Sequence, residues 1–250
     1  MNTPPMDSYA RDLFAYKQVL VTGGTSGIGL GAALAFRDLG ATVTATTRTE
    51  EEAETARLDP GHEGIRFTAL DVRDSRGIKA AIAQFRQLDV VVNAVGVTRR
   101  DSDQDPEVFA DVITINLIGI MRICAAAKPK LVTTKGAIVN IASMLTYNAS
   151  ARISGFSAAK GCIGQLTKSL AAAWAGEGIR VNAVAPGWIT GQTDSAPEDA
   201  GKSLTGAART PMGRWGTTDE VAGGVIFLAS PAARFITGTV LAIDGGFLAG

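Results

Sequence analysis

The chain has 250 residues, enough for one domain or two small ones, and at that length it needs neither a disulfide nor a metal to fold. Apolar residues make up 46% and charged residues 19%, which excludes a disordered chain. The 24 Lys+Arg balance 24 Asp+Glu, whereas a phosphate-backbone binder carries a basic surplus, so no nucleic-acid partner is expected.

Short apolar runs alternate with helical patterns along the whole length. Lys17–Val21 reads as a buried strand, Ile28–Leu39 as a helix stopped by Gly40, and Ala41–Thr46 as a second strand. A charged helix at Glu50–Arg57 precedes a strand at Ile65–Leu70. Ser75–Leu88 carries Ile78, Ile82 and Phe85 on one stripe, and Asp89–Asn93 is the fourth strand. A long helical region at Pro106–Ala127, a strand at Ala137–Ala142 and an alanine-rich helix at Arg152–Glu177 follow. Arg180–Ala185, Asp219–Ala229 and Val240–Ile243 complete the series as strand, helix and strand.

Strands alternating with helices predict an α/β fold: a Rossmann-type, doubly wound parallel sheet with helices on both faces. Apolar runs such as Val90–Val92 suit strands covered on both sides. The chain reads as a single domain, 1–250, with an N-terminal extension at 1–16. The irregular stretch 187–214 follows the sixth strand, where a doubly wound sheet places its ligand crevice, and is expected to be a substrate lid.

The scarce residue types narrow the chemistry. A Ser-His-Asp hydrolase would have to use the single histidine, His62, which sits in a loop with Pro60, Gly61 and Gly64. Cys124 and Cys162 are too few for a zinc site, and no metal is expected. They read as reduced thiols of a cytoplasmic protein. No apolar run reaches the roughly 18 residues of a membrane span. Residues 1–16 carry Asp7, Arg11 and Asp12 and lack an apolar signal core. No membrane partner is expected.

The richest motif follows the first strand and opens the first helix: Thr22-Gly23-Gly24-Thr25-Ser26-Gly27-Ile28-Gly29. Glycines let the chain turn tightly and let a diphosphate approach the backbone, and the helix N-terminus offers free N–H groups. Downstream lie Asp71-Val72 after the third strand and Asn93-Ala94-Val95-Gly96 after the fourth. Pro186-Gly187, with Ile189 and Thr190, follows the sixth, and Ile243-Asp244-Gly245-Gly246 ends the last.

From Lys17 to Phe247 these motifs resemble, in order, those of the short-chain dehydrogenase/reductase family. The resemblance implies a nicotinamide dinucleotide held by Gly23, Thr25, Ser26, Gly27, Ile28 and Gly29. It assigns adenine contacts to Asp71 and Val72, further contacts to Asn93, Ala94 and Gly96, and the carboxamide to Pro186, Gly187, Ile189 and Thr190. It implies hydride exchange with a small ketone or secondary alcohol, and a homotetramer or homodimer. The family's catalytic row is Asn, Ser, Tyr and Lys. Asn116, Ser143 and Lys160 match it, but the YxxxK motif stands as Phe156-Ser157-Ala158-Ala159-Lys160.

A phenyl ring has no proton to give, and general acid–base catalysis is typically worth about 10²–10⁴ in rate. The preferred explanation is an impaired Tyr→Phe variant, its neighbours being intact. The alternatives are a natural cofactor-binding protein without reductase chemistry, or an enzyme with another proton source such as Tyr147. Tyr147 and Trp188 are the expected substrate-side residues besides Ser143.

An acidic residue at the tip of the second strand would bond the 2′-hydroxyl of NAD, whereas an arginine nearby accepts the 2′-phosphate of NADP. The strand ends Ala45-Thr46-Thr47-Arg48, so NADP(H) is preferred and NAD(H) remains possible.

Overall fold

The computed structural model describes residues 5–191 and 207–250. Seven parallel strands form one sheet in the order β3-β2-β1-β4-β5-β6-β7. They are β1 (Gln18–Thr22), β2 (Thr42–Thr47), β3 (Ile65–Ala69), β4 (Val90–Asn93), β5 (Ala137–Ile141), β6 (Arg180–Pro186) and β7 (Val240–Ile243). The described helices are α1 (Gly27–Asp38), α2 (Glu50–Arg57), α3 (Ser75–Ala83), α4 (Pro106–Ile113), α5 (Gly119–Thr134), α6 (Ser154–Trp174) and α7 (Thr218–Ala229).

Alternate residues of the central strands serve opposite faces. Val19 and Val21 pack with Phe36 of α1 and Val225 of α7. Leu20 and Val91 pack with Ile123 of α5 and Ile163 of α6 on the other side. The strand order reverses between β1 and β4. Loops leaving the carboxyl ends of these strands therefore diverge and open a crevice there.

Three expectations change. The helix expected at 106–127 is three pieces: α4, a π-helical turn at Thr114–Ile118, and α5, which runs on to Thr134. The third helix stops at Ala83 rather than Leu88. The expectation that nothing is apolar enough to span a membrane also fails. Pro106–Thr134 passes by length and composition, because its core-facing stripe and small residues raise the average. In the fold Val112, Ile120, Ile123, Ala127 and Leu131 of this stretch are buried against the sheet and α6.

The segment before β1 is docked. Phe14 meets Phe36 edge-on at 4.8 Å, and the Tyr9 hydroxyl donates to the Gly223 carbonyl at 3.0 Å. Of the expected lid 187–214, residues 192–206 lie outside the described residues.

Candidate active site

A cleft of about 960 Å³ runs across the carboxyl ends of the central strands. One end is made of backbone. Gly23 has φ +68°, and a Cβ there would lie 2.9 Å from the Val95 Cα and N. A Cβ on Gly29 would lie 2.0 Å from the Gly23 carbonyl oxygen. The turn closes only without side chains at these two places, and α1 then starts against the cleft. Ser26 occupies the α1 N-cap position with extended backbone and makes no side-chain cap bond. The first-turn N–H groups of α1 are therefore left for an anion. Thr25, Ser26, Gly27 and Ile28 all line the cleft beside them.

At the tip of β2, Thr25 Oγ1 donates to Thr47 Oγ1 at 3.3 Å, and Thr47 in turn donates to the Glu52 carboxylate. Arg48 reaches the same carboxylate through its backbone N–H at 3.1 Å and its guanidinium at 3.2 Å. The Thr47 hydrogen bond, then those of the backbone at Arg48 and Thr49, hold the Glu52 carboxyl below its usual range. The strand tip carries no acid in sequence, yet α2 folds one back onto it. Asp71 also lines this end. Its carboxylate accepts from Arg73 Nη2 at 2.7 Å and from the Arg73 backbone N–H at 2.8 Å, which holds it low. Val72 is beside it, and its side chain fills the space a Cβ on Gly119 would need.

The middle of the cleft brings Ser143, Phe156 and Lys160 together. Ser143 caps the short turn Met144–Thr146, its Oγ accepting from the Leu145 N–H at 3.1 Å. An oxygen so engaged keeps its own proton for donation into the cleft. Lys160 and Phe156 lie one turn apart on α6. The Lys160 ammonium donates to the Ile141 carbonyl at 2.6 Å and sits 5.4 Å from the Phe156 ring centroid. Lys160 is 4% exposed, and burial pushes its ammonium down to about 8. No tyrosine lines the cleft. Tyr9 bonds Gly223, and Tyr16 is 91% exposed.

Tyr147, expected beside the substrate, does not line the cleft either. The turn begun at Ser143 carries it out, 55% exposed, with its hydroxyl 3.5 Å from the Val240 carbonyl.

Asn93 and Asn116 stand behind the cleft wall rather than in it. Asn93 is fully buried and donates to Asn140 Oδ1 at 2.9 Å and to Cys124 Sγ at 3.3 Å. Asn140 passes the chain on to Thr167 at 2.9 Å, so β4, β5 and α6 are tied together. Burial pushes the Cys124 thiol up to about 12, and it stays a neutral partner. Asn116 lies in the π-helical turn and spends its amide on backbone. Nδ2 donates to the Val97 and Val112 carbonyls, and Oδ1 accepts from the Val97 N–H. It holds the irregular segment after Ala94 and Gly96, both of which line the cleft.

Pro186, Gly187, Trp188 and Ile189 line the far side, where a Cβ on Gly187 would lie 2.8 Å from Asp244 Cα. Thr190 does not reach the cleft. Its N–H and hydroxyl both bond the Gly216 carbonyl, at 3.0 and 3.2 Å. Trp188 and Trp215 stack at 5.6 Å, and the buried Trp188 Nε1 has no partner among the described residues. The Asp-Gly-Gly motif acts as a clamp: Asp244 accepts from Gly246 N–H and Leu248 N–H, each at 2.9 Å, setting Phe247 at the cleft. His62 lies away from this site, with Nδ1 at 2.9 Å from the Ala56 carbonyl. Among the described residues no three His, Cys, Asp or Glu gather as a metal would need.

Two neighbours of the site have placements that the sequence does not show. Glu52, whose charge with that of Glu50 and Glu51 weighs against NADP in the sequence, folds onto the strand tip itself. The other is Asp103, fully buried, whose carboxylate accepts from the Ser154 N–H at 3.0 Å, the Ser154 hydroxyl at 3.2 Å and the Phe156 N–H at 3.2 Å. It caps α6 from a loop 51 residues upstream, and no local pattern announces such a cap.

Residues 23–248 match the family model described as Enoyl-(Acyl carrier protein) reductase. The chain belongs to the short-chain dehydrogenase/reductase family. It is similar to the 2-dehydro-3-deoxy-D-gluconate 5-dehydrogenase of Bacillus subtilis, with 37% identity covering 96% of this chain and 98% of that protein. It is equally similar to the cis-4-hydroxycyclohexanecarboxylate dehydrogenase of Sinomonas cyclohexanicum, with 37% identity over 95% and 99%. A solved Agrobacterium tumefaciens structure described as a 2-deoxy-D-gluconate 3-dehydrogenase, with NADP bound, superposes with a TM-score of 0.83. It shares 32% identity over 96% of this chain and 99% of that one. These family members carry the descriptions of dehydrogenases.

Proposed function

We propose that this site serves hydride exchange between NADP(H) and a small ketone or secondary alcohol, and that the chain as it stands is impaired in the proton-transfer half of that reaction. The observation that carries the reading is Phe156: Ser143 and Lys160 flank a ring with no hydroxyl, and no tyrosine from elsewhere lines the cleft.

The residues present fit a dinucleotide. The Cβ-free cradle at Gly23 and Gly29 and the open α1 N-terminus suit a diphosphate. Arg48, with the Thr25 and Thr47 hydroxyls beside it once they turn from their present acceptors, offers donors for a 2′-phosphate, and the NADP bound in the similar structure supports that reading. Glu52 opposes that assignment in part, since its carboxylate occupies Arg48. When bound, the nicotinamide supplies or accepts the hydride. Ser143 gives the substrate oxygen a hydrogen bond through its hydroxyl, without surrendering the proton, and so fixes the direction of that oxygen. Lys160, half-titrated near pH 8, holds a proton at the wall behind Phe156. At 156 the relay ends, and an alkoxide forming in the cleft has no direct proton donor.

A second reading is a natural NADP(H)-binding protein without turnover. The Lys160 ammonium over the Phe156 ring favours it, because the aromatic face gives the buried cation a partner. Either reading goes with a cytoplasmic homotetramer or homodimer acting on small molecules, without nucleic-acid or membrane partners. Titration of the protein with NADPH and NADH tests the shared premise. NADPH should bind, and more tightly than NADH. Failure of both to bind overturns the nucleotide assignment.

A further inference from the structure

The substrate end of the cleft has an excess of positive charge that the reaction itself does not require. Arg99, Arg100, Arg152 and Arg209 all line it. Among the described residues the acidic side chains lining the cleft are Glu52 and Asp71, at the adenosine end, each held by its own arginine. Arg152 is paired with Asp101, which keeps that arginine in place and offsets its charge. Arg99 and Arg209 are different. Among the described residues the Arg99 guanidinium donates only to the neighbouring Thr98 carbonyl, at 3.3 Å. Its backbone is fixed, its carbonyl accepting from Ser102 N–H at 3.1 Å and Asp103 N–H at 3.0 Å. Arg209 lies 4.9 Å from the Phe247 ring centroid. A guanidinium stacked on an aromatic ring is oriented without losing its charge or its in-plane N–H groups.

Resting on the dinucleotide reading above, we propose that Arg99 and Arg209 form a carboxylate subsite and that the substrate is a small oxo or hydroxy acid, its carbonyl at Ser143 and its carboxylate at this rim. The planar fork of a guanidinium matches a carboxylate two bonds at a time, and a neutral amide cannot replace that match. The charges of Arg99 and Arg209 add attraction that falls as salt rises.

The test uses dissociation constants in the protein as it stands, saturated with NADPH, where Phe156 slows turnover and ternary complexes persist. The probes are matched pairs that differ only in charge: 4-oxocyclohexanecarboxylate and its carboxamide, 5-keto-D-gluconate and its amide, and acetoacetate and acetoacetamide. The acid of at least one pair should bind about tenfold tighter than its amide. That gap should close in the Arg99→Ala/Arg209→Ala double variant, partly reopen with Arg99→Lys, and shrink at 0.5 M salt, with NADPH affinity unchanged by the substitutions and each measurement made at saturating NADPH. Equal binding of acids and amides, a gap that survives the double variant, or no probe binding while NADPH binds would each overturn the subsite. Loss of NADPH binding itself would instead refute the nucleotide reading.

Discussion

At the dinucleotide end of the cleft the working parts are backbone: a left-handed glycine, a second glycine packed on the first, and the uncapped start of α1. At the substrate end they are side chains: Ser143, Phe156, Lys160, Trp188 and the arginines. The first kind of site fails with the addition of one carbon. The second can lose its central hydroxyl with the wall still standing, because a phenyl ring fills the space of a phenol. Binding and chemistry are thus separable in this chain.

The strongest way to break the backbone half is Gly29→Val. Its Cβ would meet the Gly23 carbonyl at 2.0 Å, and nothing nearby can yield except the turn itself. NADPH binding should vanish in a titration, while a Phe156 variant keeps it.

Lys160 sharpens the contrast through pH. Its folded pKa of about 8 lies below the ordinary 10.5, so burial penalises the cation. Below pH 8 the penalty is fully present. Between about 8 and 10.5 the unfolded chain holds a proton that the folded chain has lost, so this group makes stability rise with pH, by at most about 3 kcal/mol. Cys124 works in the opposite sense above pH 9, its thiol being pushed up to about 12. The quantity to read is therefore the difference between the protein and Lys160→Met in urea midpoint across pH 8–10.5. The variant should lack the rise.

Asp103→Ala should cost about 1–3 kcal/mol in denaturant unfolding, because the Ser154 and Phe156 N–H groups lose a buried acceptor. Asp103→Asn, which keeps an oxygen, should cost less. The smallest effect belongs to the exposed rim of the nucleotide end. Arg48→Ala should weaken NADPH several-fold and leave NADH nearly unchanged in paired titrations, since an exposed ion pair contributes only about 0.2–1 kcal/mol. Equal losses for both nucleotides would remove Arg48 from the 2′-phosphate.

The same division explains what could be read from sequence. β1, β4 and β5 are short apolar runs because helices cover both faces, and such runs announce themselves. The glycine turn is legible because its geometry forbids other residues. Side-chain placement is less so. Tyr147 sits four residues after Ser143, but the tight turn at Met144–Thr146 carries it out to the β7 edge. Asn93 sits within a motif at the crevice, yet its amide points into the core toward Asn140. Glu52 and Asp103 reach the site by folding back across an element or across 51 residues of chain, which no local period encodes. The π-helical turn at Asn116 also has no signature in a pattern that is helical on either side.

The most direct measurement compares kcat/KM for NADPH-dependent reduction of the oxo acids above by the protein and by its Phe156→Tyr variant. A hydroxyl placed at 156, beside Ser143 and one helical turn from Lys160, should raise kcat/KM by about 10² or more, mostly through kcat. A ratio near one, with NADPH bound equally well to both proteins, would contradict the account of an otherwise complete reductase site lacking one proton donor.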